Sequence, residues 1–204
     1  MPELQPFAAW MAAFKARIDE QADYLTDLDR QIGDADHGAN MARGVQAIAE
    51  LDLDAIPDAG TYLKKAGMAL VSKVGGASGP LYGTLLMRMG GALPEGELTR
   101  EGFLAALRTG VEGLQARGKA EVGDKTMLDV WFPALAAADA AEGTLADALG
   151  AAADAARAGA EATIPMIARK GRASYLGERS MGVKDPGSAS SVLLIEAALE
   201  AFGD

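Results

Sequence analysis

The clearest chemical signal in the sequence is a set of three aspartates, Asp29, Asp34 and Asp36, with the spacing Asp-x4-Asp-x-Asp. Carboxylates held this close repel one another, so folding must either raise their pKa values or bring in a cation. Oxygen ligands on a flexible acidic loop suit Mg²⁺ or Ca²⁺, and Mg²⁺ completes its coordination with water and phosphate oxygens. The spacing is not that of an EF-hand. The pattern therefore indicates a divalent-cation site, with solvated loop acids or helix caps as the alternative.

The sole histidine, His37, follows the third aspartate directly and stands close to Gly38 and Asn40. An imidazole that titrates near neutral pH could bind phosphate, bind substrate or transfer a proton. A surface or capping role explains a lone histidine equally well. Asn40 is likewise consistent with a polar residue early in a helix.

A second signal is the glycine-rich stretch at residues 74–84, Val-Gly-Gly-Ala-Ser-Gly-Pro-Leu-Tyr-Gly-Thr. Glycines let backbone amides approach an anion, and a helix that begins at Pro80 would add free amides and the positive end of its dipole. The stretch lacks the Gly-Lys-Ser/Thr ending of a Walker A loop, and no strand precedes it as in a dinucleotide fingerprint. A phosphate would fit here, although a plain helix–helix turn is the more frequent explanation.

Two further stretches, residues 117–127 and 169–180, combine glycine with seven of the 19 basic residues. In a chain of net charge −10 these concentrations suggest local phosphate binding, with solvated surface loops as the alternative. The turn at residues 182–188 contains an Asp and glycines that could close over a ligand. No Ser-His-Asp or Cys-His arrangement is recognisable, and phosphoryl transfer needs none, because it depends on positioning and charge neutralisation.

Composition narrows the class of protein. The excess of negative charge opposes binding to nucleic acid or to anionic lipid. The chain has no cysteine, which excludes disulfides, thiolate catalysis and Cys-ligated metals. It begins without the basic and apolar regions of a signal peptide, and charges interrupt every long apolar stretch. We therefore expect a cytoplasmic protein with no membrane segment.

Helical periodicity of the apolar residues predicts the elements that must position these signals. Residues 7–28 form an amphipathic helix, and a polar loop at residues 32–40 leads into a second helix that runs to about residue 51. Further helices are predicted at about residues 61–74, at 80–93, after a Thr99 cap, and from residues 124–129 onward, with Pro133 in the first turns or at a kink.

A seventh helix is predicted from Thr144 to about Lys170, broken or bent at Pro165, and an eighth at residues 188–202. Strand-like alternation is not found, and we expect many of the 25 glycines in loops, because glycine inside a helix is unfavourable. Short connections favour antiparallel neighbours. The prediction is therefore an all-α up-and-down bundle of eight helices, with residues 1–204 as one domain.

Taken together, residues 24–38, 74–84, 117–127 and 169–187 closely resemble the nucleotide-binding subunits of dihydroxyacetone kinases, the DhaL family. The four motifs occur in the same order over essentially the whole chain. The resemblance implies a closed bundle of eight antiparallel helices with ADP or ATP and two Mg²⁺ ions in the loops at one end. It further implies that the substrate histidine belongs to another chain, so that this chain, with no fused substrate domain in 204 residues, is a stand-alone subunit.

The resemblance also assigns roles to individual residues. Three aspartates would hold the metal ions and take part in catalysis together with Arg172, which would contact phosphate. The remaining assignments are to the nucleotide and to a closing lid. His37, Gly38, Ala39 and Asn40 would line the nucleotide site, Ala77 and Ser78 would contact phosphate, Gly118 and Met127 would border the base, and Asp185, Pro186 and Gly187 would form the lid; the metal ligands would be Asp29, Asp34 and Asp36.

The partners implied by the family are a DhaK-type subunit, which holds dihydroxyacetone covalently on its own histidine, and a DhaM-type phosphocarrier of the phosphotransferase system (PTS). The phosphocarrier would recharge ADP in place. The alternatives are a kinase subunit that exchanges ADP for ATP and serves dihydroxyacetone or another small sugar, a nucleotide-binding regulatory protein, and a bundle that binds magnesium but no nucleotide. A homodimer is also left open.

Overall fold

The computed structural model describes residues 2–203, and this part of the chain contains helices and no strand. The helices follow the apolar periodicity of the sequence. Two short 3₁₀ segments, Leu53–Ala55 and Arg172–Ser180, lie between them. The α-helices are α1 (Leu4–Ile32), α2 (His37–Ala49), α3 (Ala59–Lys73), α4 (Ser78–Ala92), α5 (Arg100–Gly118), α6 (Leu128–Ala140), α7 (Leu145–Ala162) and α8 (Pro186–Phe202).

The eight helices form a closed ring. Each helix packs against the next one along the chain, and α8 returns to pack against α1. The connections are short, as expected for antiparallel neighbours. The predicted all-α bundle of eight helices is confirmed, and closure of the ring brings the ends of α1, α3 and α5 together with the starts of α2, α4, α6 and α8.

Aromatic side chains fill the other end of the ring. Phe7 and Trp10 near the start of α1 pack against Phe103 of α5 and Phe202 at the end of α8, with ring centroids 4.9 to 6.3 Å apart. The indole N–H of Trp10 donates to the Leu194 carbonyl at 2.8 Å, so its one polar atom is satisfied. This aromatic cluster closes one end of the ring and leaves the opposite end, which carries the loops, as the place for a ligand.

Two helix starts follow the capping chemistry expected from the sequence. The Thr99 hydroxyl accepts the Gly102 amide at the start of α5. Thr144 and Asp147 form a capping box at the start of α7, in which each side chain accepts the other residue's amide. The predicted Thr99 cap is therefore confirmed, and Thr144, predicted as the start of the seventh helix, also caps it.

The seventh predicted helix was too long. α7 ends at Ala162 rather than near Lys170, because the residue before a proline avoids the helical region and Pro165 cannot donate to an earlier carbonyl. α6 begins only at Leu128, which places Pro133 inside the helix and beyond its first turn. The predicted loop at residues 32–40 is also shorter, since α2 already begins at His37.

A further correction concerns the glycines, many of which were expected in loops. Several sit inside α3, α4 and α5 where two helices approach closely. A Cβ on Gly110 of α5 would lie 2.7 Å from the Leu85 carbonyl of α4, and one on Gly90 would lie 2.6 Å from the Gly60 carbonyl of α3. The gain from close packing offsets the helix propensity of glycine. Within residues 2–203, none of the helices combines the length and the apolar character that crossing a membrane requires.

Candidate functional site

A cavity of about 480 Å³ opens at the loop-bearing end of the ring. Acidic, glycine-rich, apolar and basic segments each supply one side of it. The residues of the sequence-predicted site that line the cavity are Asp29, Asp34, Asp36, His37, Ala77, Ser78, Gly118, Met127, Arg172, Asp185, Pro186 and Gly187.

The acidic side of the cavity is the cluster of Asp29, Asp34 and Asp36. One carboxylate oxygen from each lies within 4.8 Å of the other two, which is close enough for a shared cation. Ala35, between the last two, has a left-handed backbone with φ of 63°. This conformation is uncommon for a residue with a side chain, and it turns the chain sharply between two of the acids. The donor set, three hard oxygens, fits Mg²⁺.

Asp29 is buried at the end of α1 and is held in place by the start of α2. Its Oδ2 accepts the backbone amides of Asp36 at 2.9 Å and His37 at 3.1 Å. The side chain of Asp36, the N-cap residue of α2, makes no capping hydrogen bond, so Asp29 caps this helix instead. Its Oδ1 lies over Gly33, where a Cβ would overlap with it and would lie 2.9 Å from the Asp29 Cγ. Gly33 therefore leaves room for the carboxylate, a role that sequence reasoning missed.

His37 is buried in the first turn of α2 and joins two other elements. Its Nδ1 lies 3.1 Å from the Ser78 Oγ of α4, and its Nε2 lies 2.9 Å from the Ser190 Oγ of α8. Burial lowers the pKa of His37 below its ordinary value near 6.5, although the charges of Asp29 and Asp36 act in the opposite direction. The neutral ring thus joins the acidic loop to the glycine-rich loop rather than standing free at the surface.

The glycine-rich loop ends at Ala77, and α4 begins at Ser78. The amides at this helix start precede the first helical hydrogen bond, which is donated by Leu81 to the Ala77 carbonyl at 3.1 Å. Free amides and the positive end of the helix dipole point toward the cavity rim. The loop and the start of α4 therefore line the cavity, and the helix begins two residues earlier than predicted.

Three residues of the predicted nucleotide site do not line the cavity: Gly38, Ala39 and Asn40. A Cβ on Gly38 would overlap with the Ala22 carbonyl of α1, and Ala39 is exposed. Asn40 is buried behind the glycine-rich loop, where a Cβ on Gly75 would lie 3.1 Å from its side-chain amide. These positions support the walls of the cavity from outside because the helical turn directs them away from it.

A buried hydrogen-bond network continues inward from His37. The Tyr82 hydroxyl lies 2.7 Å from the Ser190 Oγ and 3.0 Å from the Ser191 Oγ, and it is 3.2 Å from the Gly187 carbonyl. The indole N–H of Trp131 donates to the Ser191 Oγ at 3.1 Å. Burial raises the pKa of Tyr82 well above its ordinary value. The serines of α8 are thus buried hydrogen-bond partners, with Ser191 accepting from Trp131 and Ser190 also donating to the Gly187 carbonyl. Their presence on an otherwise apolar helix was the signal that could have revealed them.

The basic and apolar sides complete the cavity. The Arg172 Nη1 lies 2.7 Å from the Asp34 Oδ2, so the arginine extends over the acidic cluster. Gly118 and Met127 border an apolar wall with Leu81 and Leu114. Charge and apolar surface are thus separated within one cavity, an arrangement that suits a ligand with one charged end and one flat end.

Asp185 caps the start of α8 at the cavity floor. Its Oδ2 accepts the Ser188 amide at 2.6 Å, and Pro186 occupies the first helical position. Burial raises the pKa of Asp185 to about 6, and the nearby charge of Asp129 acts in the same direction, while the Ser188 hydrogen bonds and Lys125 lower it. The turn predicted to cover a ligand is therefore anchored to a helix.

Fold and site together define a closed helical bundle whose loop-bearing end brings an acidic cluster and the start of α4 to one cavity. The sequence profile of the DAK2 domain matches residues 31–200. The chain belongs to the DAK2-domain family.

Relatives in this family are close over nearly their whole length. The chain is 47% identical over 192 residues to the PEP-dependent dihydroxyacetone kinase, ADP-binding subunit DhaL, of Escherichia coli K12, covering 92% of this chain and 91% of that protein. It is 44% identical over 192 residues to the ADP-binding subunit DhaL of PEP-dependent dihydroxyacetone kinase 1 of Listeria innocua, covering 94% and 93%. These relatives are kinase subunits, as the sequence motifs indicated.

The fold also matches a solved structure. The dihydroxyacetone kinase of C. freundii in complex with AMP-PNP and Mg²⁺ superposes with a TM-score of 0.73 at 29% identity. The match covers 98% of this chain and 34% of that chain, so this chain spans about a third of the length of that enzyme. The predicted fold class is confirmed.

Proposed function

We propose that the chain is the ADP-binding, phosphoryl-transferring subunit of a dihydroxyacetone kinase. The observation that carries the proposal is the juxtaposition of Asp29, Asp34 and Asp36, within 4.8 Å of one another, with the start of α4 and with Arg172 around one cavity. The names of the relatives, ADP-binding subunits of PEP-dependent kinases, support it. A solved relative that holds AMP-PNP and Mg²⁺ supports the ligand class.

In this proposal the three aspartates would hold two Mg²⁺ ions, which would supply positive charge to balance the diphosphate. Ala77 and Ser78 bind phosphate through the start of α4. Gly118 and Met127 border the base at the apolar wall, and Gly38, Ala39 and Asn40 act indirectly by supporting the cavity walls. Asp185, Pro186 and Gly187 cover the nucleotide from the start of α8.

Arg172 is the catalytic cation of the proposed site. Its guanidinium contacts Asp34 and its side chain is 66% exposed, so it can turn to a phosphate group when the aspartate takes up a cation. A planar guanidinium suits the equatorial oxygens of a transferring phosphoryl group. Arg172→Ala should therefore reduce the rate of transfer more than the binding of ADP.

The acceptor is held by another chain in this proposal. A DhaK-type subunit presents dihydroxyacetone bound covalently to its histidine, and a DhaM-type PTS phosphocarrier rephosphorylates the bound ADP. The high identity to PEP-dependent subunits over more than nine-tenths of both chains favours this mode over exchange of ADP for ATP. The single domain, the cytoplasmic location and the homodimer remain predictions from the sequence.

The experiment that tests the proposal measures dihydroxyacetone phosphate with the purified chain, a DhaK-type subunit and either a PTS phosphocarrier chain with phosphoenolpyruvate or ATP. Transfer that needs the phosphocarrier, with ADP released in near-equal amount when the protein is extracted with acid, supports the bound-coenzyme mode. Transfer with ATP from a chain that purifies empty supports the exchanging mode. Nucleotide binding with no transfer in either case would indicate a regulatory protein and contradict the proposal.

The metal assignment has its own matched pair of variants. Asp34→Asn removes one charge from the cluster and should abolish Mg²⁺-dependent retention of ADP without unfolding the helices. Asp23→Asn makes the same change at an exposed site on α1 outside the cavity and should retain ADP. Equal retention by both variants would refute the metal assignment.

A further inference from the structure

Residues 164–182, which we call the arginine loop, carry Arg172 and are closed at their base. The Gly182 amide donates to the Ile164 carbonyl at 2.8 Å, so the two ends of the loop meet. Inside that closure the Ala168 amide donates to the Ser180 Oγ at 2.9 Å. Ends this close define a compact loop whose base is held by backbone and side-chain hydrogen bonds.

Lys125 enters this base from the loop that precedes α6. Its side chain is 1% exposed, and its backbone is left-handed with φ of 61°. The ammonium donates to the carbonyls of Ser180 at 2.6 Å, Met166 at 3.1 Å and Ile164 at 3.4 Å. The ammonium of Lys125 therefore binds both ends of the loop base at once.

These contacts use every donor of the ammonium group. A lysine has three N–H groups and no acceptor, and each of the three carbonyls takes one. A buried cation is tolerated only when it is hydrogen-bonded in this way. Although Lys125 borders the cavity, its donors are directed to the backbone, and none is left for a phosphate. A neighbouring contact strengthens the tie, because the Arg169 amide donates to the Asp124 carbonyl at 3.0 Å.

We propose that Lys125 is a positioning residue: its ammonium fixes the base of the arginine loop so that Arg172 is held over the acidic cluster. The link to phosphoryl transfer rests on the proposed function, whereas the link to the loop does not. Loss of the ammonium leaves three carbonyls without their shared donor, and the loop opens without disturbing Asp29 or the start of α4.

Trypsin reports the opening directly, because the loop contains Arg169, Lys170, Arg172 and Arg179. Trypsin should cut Lys125→Met within the loop at least about tenfold faster than it cuts the unchanged chain, because losing a hydrogen bond to a charged group changes the opening equilibrium by about this factor. Cleavage elsewhere in the chain should be unaltered. Lys15→Met, at a lysine that pairs with Asp19 one turn further along α1, is the matched control. Resistance equal to the unchanged chain, or faster cleavage everywhere, would overturn the proposal.

A chemical rescue tests the role of the ammonium group by itself. The chain has no cysteine, so Lys125→Cys introduces a single thiol that can be alkylated selectively. The unfolded variant is alkylated with 2-bromoethylamine, which restores an ammonium at the position of the lysine nitrogen, or with iodoacetamide, which leaves a neutral amide. After refolding, only the aminoethylated protein should regain resistance to trypsin. Equal resistance of the two forms would contradict the proposal.

A double-mutant cycle connects the loop to transfer. If Lys125 acts through Arg172, then Lys125→Met and Arg172→Ala should lower the rate of transfer at saturating nucleotide by similar factors, and the double variant should be no slower than Arg172→Ala. Effects that multiply would refute the positioning role. Absence of transfer in the unchanged chain would count against the proposed function alone, because the trypsin result stands apart from it.

Should Lys125→Met fail to fold, the two alkylated forms of Lys125→Cys carry the test, and hydrogen exchange in the unchanged chain checks the premise that the loop base is anchored. The Ala168 and Gly182 amides at the loop base should exchange at least about tenfold more slowly than the exposed amides near Tyr175, which is 87% exposed at the tip. Equal exchange rates at base and tip would show that the base is not anchored and would overturn the proposal.

Discussion

The substitution Gly33→Ala tests whether the position of Asp29 is set by the acidic loop. An added Cβ would overlap with the Asp29 Oδ1 and would lie 2.9 Å from its Cγ and 3.0 Å from its carbonyl oxygen. The carboxylate cannot rotate away freely, because its Oδ2 accepts the amides of Asp36 and His37. Relief of the overlap therefore requires weakening those hydrogen bonds or moving the loop.

The magnitude follows from the same contacts. Hydrogen bonds to a charged group contribute about 1.5–3 kcal/mol each, so partial loss of two should lower the free energy of unfolding by about 2–4 kcal/mol. A change next to a metal ligand also lowers metal affinity by about 10–100-fold. We therefore expect weaker Mg²⁺-dependent ADP binding in calorimetry, together with a lower midpoint in urea unfolding.

The matched control is Gly150→Ala in α7, where a Cβ would meet nothing within 4 Å. That variant should gain about 0.5–1 kcal/mol of stability, because alanine is the better helix former, and should bind Mg²⁺ and ADP as before. If Gly33→Ala matched the unchanged chain in both stability and binding, the assignment of Gly33 as the space for the Asp29 carboxylate would be wrong.

Two further changes test the inner part of the site. Asp185 has a pKa of about 6, above its unfolded value near 3.8, so its stabilising effect is complete below pH 4 and is lost as pH rises through 6. The free energy of unfolding of Asp185→Asn, measured in urea relative to the unchanged chain and without nucleotide, should therefore rise by about 2 kcal/mol between pH 4 and pH 7. A difference that does not depend on pH would refute this. Tyr82→Phe should cost about 1–3 kcal/mol because it removes the partner of Ser190 and Gly187, whereas Tyr62→Phe, whose hydroxyl makes no hydrogen bond within the described residues, should cost less. Equal losses in the two tyrosine variants would mean that the network contributes nothing specific.

Much of the fold follows from local patterns in the sequence. Apolar periodicity gave the eight helices, and capping at Thr99 and Thr144 fixed two of their starts. The extent of α7 was misjudged because alanine-rich sequence remains helical in pattern up to Pro165, and the end depends on the conformation forced by the proline. Close helix approach at Gly90 and Gly110 depends on which helices become neighbours, and periodicity alone does not contain that information.

The candidate site, like the fold, could be predicted from the sequence only in part. Asp29, Asp34 and Asp36 were recognisable because their residue type and spacing report their chemistry. Asn40 was assigned to the nucleotide site, yet the helical turn that begins at His37 directs it behind the wall. Lys125 was counted only among the basic residues suggested for phosphate binding, because its contacts depend on a left-handed backbone and on carbonyls that lie roughly 40 to 55 residues further along the chain.

The central claim is that the cavity binds a nucleoside diphosphate through magnesium held by the acidic cluster. Calorimetric titration of nucleotide-free protein with ADP, with and without Mg²⁺, tests it most directly. We expect one ADP bound per chain only when Mg²⁺ is present, with binding lost in Asp34→Asn and kept in Asp23→Asn. ADP binding that is equally tight without Mg²⁺, or no binding under either condition, would contradict it.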